Sequence, residues 1–124
     1  YNLVWDRILG LDLFPPEVAR KEVAFYKTKL AKFGLPLDNR AAYTKLDWAV
    51  WSATLAESRE DFERFVTPLS EFAQKTPDRV PLTDWFDTQT GKCVGFRARS
   101  VVGGVFLPML ASNDVWLAWA RGAR

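Results

Sequence analysis

Residues 80–104 gather the groups of this chain that can do chemistry. The run VPLTDWFDTQTG (80–91) sets Asp84 and Asp87 around Trp85 and Phe86, and GFRARSVVGG (95–104) adds Arg97, Arg99 and a glycine pair. Loops this dense in charged and aromatic residues are where scaffolds carry function. Two carboxylates beside an aromatic wall suit amide or glycoside hydrolysis, in which burial keeps one acid protonated while the other stays ionised. Asp before Thr-x-x-Gly is also ordinary turn chemistry, so Asp87 has a second reading. Arg97 and Arg99 alternate with Phe96 and Ala98. In an extended segment both point the same way and can hold a carboxylate by bidentate bonds. Salt bridges to Asp84, Asp87 or a glutamate are the alternative.

Lys45 and Asp47, next to Trp48 and Trp51, form a second cluster. A lysine whose pKa is lowered by burial can act as base for a Ser or Thr nucleophile. Helix capping by Thr44 and Asp47 accounts for the same residues without chemistry. Tyr43 and Asp38, on the loop before, are placed to face the same cleft. Six Trp are enough to line a sugar or amino-acid pocket, although large aromatics mostly fill cores. Cys93 has only Lys92 as a basic neighbour and reads as inert.

The chain has no His. That removes Ser–His and Cys–His pairs and His-ligated zinc from within it. A single Cys excludes an internal disulfide and a Cys-rich metal site. No metal and no cofactor is expected. Chemistry located here must use Asp, Glu, Lys, Arg, Tyr, Ser, Thr or Cys93.

These residues need a scaffold, and the composition supplies one. With 124 residues, 48% hydrophobic and 15% aromatic, the chain can bury a core, which excludes disorder. Its 17 basic and 15 acidic residues are interspersed without a basic stripe, so no nucleic-acid partner is indicated. No apolar stretch approaches the roughly 18 residues of a membrane span. Residues 3–9 read as a short apolar helix stopped by Gly10. A second helix starts at Pro15-Pro16-Glu17, with Ala19, Val23, Tyr26, Leu30 and Phe33 along one face and Gly34 as its stop.

Residues 35–43 read as loop. Thr44 then caps a helix over 45–56 that is apolar on two sides: Leu46, Val50 and Ala53 on one, Trp48, Trp51 and Leu55 on the other. Such a helix is buried on two sides. Ser58 caps the next helix, along which Phe62, Phe65, Leu69 and Phe72 share a face, with a kink or break expected at Pro68. Residues 80–100 read as mostly loop, with a short hairpin around Thr88-Gln-Thr-Gly91. Helix returns over 100–110, and Asn113 or Asp114 caps a last one with Val115, Trp116 and Trp119.

The fold class read from this is all-α in the main: helical hairpins with one long functional loop or short β-hairpin near residues 84–97. Residues 1–124 form one domain. The uncapped start and the doubly buried helix point to a fragment of something larger.

Taken together, the runs YNLVWDRILGLDLF (1–14), GLPLDNR (34–40), YTKLDWAVW (43–51), RVPLTDWFD (79–87) and GFRARSVVGG (95–104) resemble the glutaminase A family, specifically its C-terminal helical domain. The resemblance covers most of the chain in order. It implies a six-hairpin α/α toroid, of which this chain supplies the last helices, and hydrolysis of L-glutamine to L-glutamate and ammonia by proteins that are often extracellular. No catalytic residues carry over with it.

Under that reading Asp84 and Asp47 are the acid/base candidates, Arg97 and Arg99 hold the substrate α-carboxylate with Lys45 nearby, and Trp51 and Trp85 are walls. The implied partners are a small-molecule substrate and the remainder of a parent polypeptide, with self-association open through surface meant for missing helices. A fragment with an incomplete cleft is expected to be inactive alone. A glycoside hydrolase on the same scaffold, acting on a glycan, and a non-catalytic helical docking module are the rival readings.

Overall fold

The computed structural model describes residues 1–122. Its elements are α1 (Val4–Leu9), α2 (Pro16–Lys27), β1 (Tyr43–Lys45), α3 (Leu46–Ala53), α4 (Arg59–Lys75), β2 (Trp85–Asp87), a 3₁₀ helix (Ser100–Phe106), α5 (Leu107–Leu110) and α6 (Asn113–Gly122). The fold is mainly helical, as the sequence predicts, with one small antiparallel sheet. α1 ends at Gly10, whose left-handed φ of 59° lets its N–H reach back to Arg7 and Asp6. Arg7 in turn donates to the carbonyls of Thr54, Leu55 and Ala56 at 3.0–3.2 Å. A guanidinium thereby satisfies the chain end of α3, where carbonyls lack helical partners and cations are favoured.

α3 and α4 each feed two apolar clusters. In the first, Ala53 and Phe65 meet Val4, Val23, Leu35, Leu55 and Leu107. In the second, Leu46, Ala49, Val50, Leu69 and Phe72 meet Phe33 and Phe86. Phe72 and Phe86 stack with ring centroids 3.5 Å apart, and Phe33 meets Phe72 edge-on. The expectation of a helix buried on two sides is correct.

Several boundaries differ from the sequence reading. α2 stops at Lys27 instead of Phe33, because Thr28 donates its hydroxyl to the carbonyl of Phe25 and the chain turns there. Leu30 still packs on the first cluster, while Phe33 swings into the second and its N–H bonds Thr88 O at 2.8 Å. Thr44 is not a helix cap. It is a strand residue, paired with Phe86, and its β-branched side chain suits that role. α4 runs unbroken through Pro68: Phe65, Leu69 and Phe72 are all buried on one face, and that packing holds the helix across the missing bond. Ser58 caps it as expected, accepting from Asp61 N–H at 3.1 Å. α6 is capped by Ser112, which accepts from Val115 and Trp116, instead of by Asn113 or Asp114.

β1 and β2 pair in the register Tyr43↔Asp87, Thr44↔Phe86 and Lys45↔Trp85. Thr44 and Phe86 point inward and are sealed, and their neighbours are half-buried. β2 also bridges Phe86 to Cys93 and leads back to a Thr83–Arg97 bridge, so the expected hairpin forms. The C-terminal end is different in character. The chain bends by 111° between Ser100–Leu110 and α6, and α6 buries none of its residues. Among the described residues no single helix is long and apolar enough to cross a membrane.

Candidate functional site

The strand pair carries Asp84 and Lys45 to one place. Leu46 N–H donates to the Asp84 carbonyl at 2.8 Å, continuing the ladder by one step and fixing the backbone of both residues. The Asp84 side chain is completely buried. It accepts from Lys45 Nζ at 3.3 Å, from Arg99 Nε at 3.0 Å and from Arg99 Nη2. Burial pushes its pKa up, but the bonds from Arg99 and Lys45 and their positive charges outweigh burial and hold the carboxyl below its ordinary value. Aromatic faces complete the cluster. The Lys45 ammonium lies 4.4 Å from the Trp85 ring and 5.0 Å from Phe96, and the Arg99 guanidinium sits 4.2 Å over Phe96.

Asp47, on the first turn of α3, is perturbed in the opposite sense. It is 5% exposed, and its Oδ1 has no hydrogen-bond partner. Burial raises its pKa, and the negative charge of Asp84 adds to that rise. The amides of Asp47 and Trp48 and the charge of Lys45 pull it down by less. The two acids are therefore shifted in opposite directions, Asp47 up and Asp84 down. This is the division that general acid–base chemistry uses.

Gly104 closes this side of α3. Trp51 donates its indole N–H to the Gly104 carbonyl at 2.9 Å. A Cβ at Gly104 would stand 2.8 Å from Asp47 Cβ and 3.2 Å from Trp51 Nε1, so only glycine lets the 3₁₀ helix come this close. Asp47 and Trp51 thus both stand against Gly104, while the Trp85 ring lies against the Lys45 ammonium.

Arg97 does not join the site. Ala98 takes a left-handed φ of 53°, which breaks the extended alternation and turns the two guanidiniums apart. Arg99 goes to Asp84, whereas Arg97 bonds Asp78, whose other oxygen accepts from Cys93 N–H at 2.7 Å. The shared carboxylate clamp expected of the pair is thus not formed. Asp78 was hidden in the turn Thr-Pro-Asp-Arg, and a carboxylate after Thr76-Pro77 is its only sequence signal. Asp87 is a turn residue: its Oδ1 accepts from the amides of Gln89 and Thr90 and from the Thr90 hydroxyl.

Nor do Tyr43 and Asp38 share a cleft. Tyr43 packs edge-on against Trp85 at 5.5 Å, while Asp38 is tied to Arg40 at the rim of a separate cavity. That cavity holds about 370 Å³ and opens on the face of α3 that presents Trp48 and Ser52. Another, of about 360 Å³, is almost wholly apolar and lies between Trp51, Gly103 and Gly104 and the Trp116–Trp119 pair.

In comparison with known proteins, residues 1–109 match the family described as the glutaminase A six helical-hairpin domain. The chain is 44% identical over 110 residues to the glutaminase A of Aspergillus oryzae, a match that covers 86% of this chain and 16% of that protein. It is 36% identical over 95 residues to a probable glutaminase of Arthroderma benhamiae, covering 74% of this chain and 11% of the relative. The chain thus spans less than a fifth of the length of either relative. No solved structure matches it.

Proposed function

This chain belongs to the glutaminase A six helical-hairpin domain family, and from that premise we propose that it is part of an amidohydrolase converting L-glutamine to L-glutamate and ammonia, in a protein exported from the cell. The single observation that carries the reading is the 44% identity to a protein named glutaminase A, over stretches that include every residue of the cluster around Asp84. The opposed perturbation of Asp47 and Asp84 supports it chemically.

In this reading water adds to the carbon of the substrate amide as its C–N bond breaks, and the proton the water gives up passes by way of Asp47, whose pKa burial raises, to the nitrogen that leaves as ammonia. Asp84 stays ionised and holds Lys45 and Arg99 in place. Arg99 spends Nε and Nη2 on Asp84, and its partly exposed guanidinium keeps the Nη1 edge for the substrate α-carboxylate. Trp51 and Trp85 wall the space. Arg97 has no part in it.

The test is ammonia release from L-glutamine by the protein at its full natural length, beside its Asp47→Asn and Arg99→Lys variants. Loss of about 10²-fold or more in kcat for folded Asp47→Asn is expected of a general acid. Arg99→Lys is expected to raise KM more than it lowers kcat. No ammonia from the intact protein, with sugar released from glycans instead, would sink this reading and favour the glycosidase one.

A further inference from the structure

The cavity of about 370 Å³ beside Trp48 has no part in the site above, yet it is built as ligand pockets are. Such pockets are concave and mostly apolar, with a few polar groups at the edge. Tyr1 stacks on Trp48 at 4.3 Å with the rings 9° from parallel, and Tyr26 adds a third ring to the lining. The Tyr26 phenol is held protonated at all ordinary pH, because burial and the neighbouring Glu22 carboxylate both raise its pKa.

Charge at the rim is unequal. Asp38 is already neutralised by Arg40, whose Nε and Nη2 lie 2.9 and 2.6 Å from it. Lys29 also lines the cavity, its ammonium 5.2 Å from the centre of the Phe25 ring, and it makes no ion pair among the described residues. The lining thus offers a side-chain cation without a carboxylate partner beside the aromatic side chains of Tyr1, Phe25, Tyr26 and Trp48. A volume of this size takes one or two rings.

We propose that this cavity binds a small ring compound carrying one carboxylate, its ring against Trp48 and Tyr26 and its carboxylate at Lys29. The site is separate from the Asp47 face. Residues 47 and 48 stand about 100° apart round the helix, so α3 divides the two. The proposal does not depend on the amidohydrolase reading.

Three probes dissect it in calorimetric titrations of the protein: phenylacetate, which has ring and carboxylate; benzyl alcohol, which has only the ring; and acetate, which has only the charge. Phenylacetate is expected to saturate a single site and to bind more tightly than either of the others. Lys29→Gln, a change at an exposed position, is expected to weaken phenylacetate about threefold to fivefold, the worth of a partly exposed ion pair, and to leave benzyl alcohol unchanged. Trp48→Ala should abolish binding of both ring compounds, and Trp48→Phe should restore most of it if the aromatic face is what matters. Equal affinity for benzyl alcohol and phenylacetate would overturn the role of the cation. No saturable binding of phenylacetate, or binding indifferent to both Lys29→Gln and Trp48→Phe or Ala, would overturn the site.

Discussion

The cluster around Asp84 and the C-terminal end of the chain invert one another. In the first, a carboxylate is sealed from solvent between two cations and two aromatic rings. In the second, Trp116 and Trp119 stack at 5.3 Å while remaining 44% and 59% exposed, and Phe106 is 64% exposed. Charge is inside where its polar partners surround it, and apolar surface is outside where, among the described residues, the rings meet little but one another. Residue type does not decide burial; completeness of the local set of partners does. The first region closes on itself, and the second lies open.

The sharpest way to break this contrast is to remove the buried charge. Asp84→Ala leaves Lys45 and Arg99 facing each other without their shared carboxylate, and should cost about 3–5 kcal/mol in urea unfolding. A loss below about 1 kcal/mol would mean that the cluster is solvated in solution and the two regions are alike. Gly104→Ala should cost about 1–3 kcal/mol, since its methyl must displace Asp47 or Trp51. It should also weaken the Asp47 effect on turnover.

The two carboxylates have opposite pH signatures. Asp84, with its pKa held below the ordinary 3.8, contributes stability above that value and loses it as pH falls through the depressed one. Asp47, with its pKa raised, contributes below 3.8 and loses that contribution as pH rises through the raised value. Asp47→Asn should therefore flatten the stability profile on the neutral side of 3.8 and raise stability there, because the amide has no charge to bury. Thermal melts across pH check both slopes. Least of all, Trp119→Gln should change stability by under about 0.5 kcal/mol while lowering binding of a hydrophobic dye, because that ring packs mainly on its neighbour.

Helices were legible in the sequence where local signals agree. Gly10 as a stop, Pro16 in a first turn and Ser58 as a cap each act within one turn of the chain, and each stands where the residues place it. The paired faces of α3 were legible too, since helical period alone reveals them. Thr44 misled because a strand and a cap favour the same residue type, and the deciding partner, Phe86, is far along the chain. Lys45, Asp47 and Asp84 were recognisable as candidates for one site, but the bonds that tie Lys45 and Arg99 to Asp84 were not. The divergence of Arg97 and Arg99 rests on a left-handed alanine, a conformation that nothing in Phe-Arg-Ala-Arg announces.

The β1–β2 pairing also bears on the order of folding. Lys45 and Asp84 are 39 positions apart, so their meeting requires a long loop to close before any contact repays the lost chain entropy. Helix α4, with its cap and its amphipathic face, can form within that loop beforehand and shorten the search. The charged cluster should then assemble with the ribbon in a single late step, and the amides of Leu46 and Thr88, bonded across that closure, should exchange with solvent together.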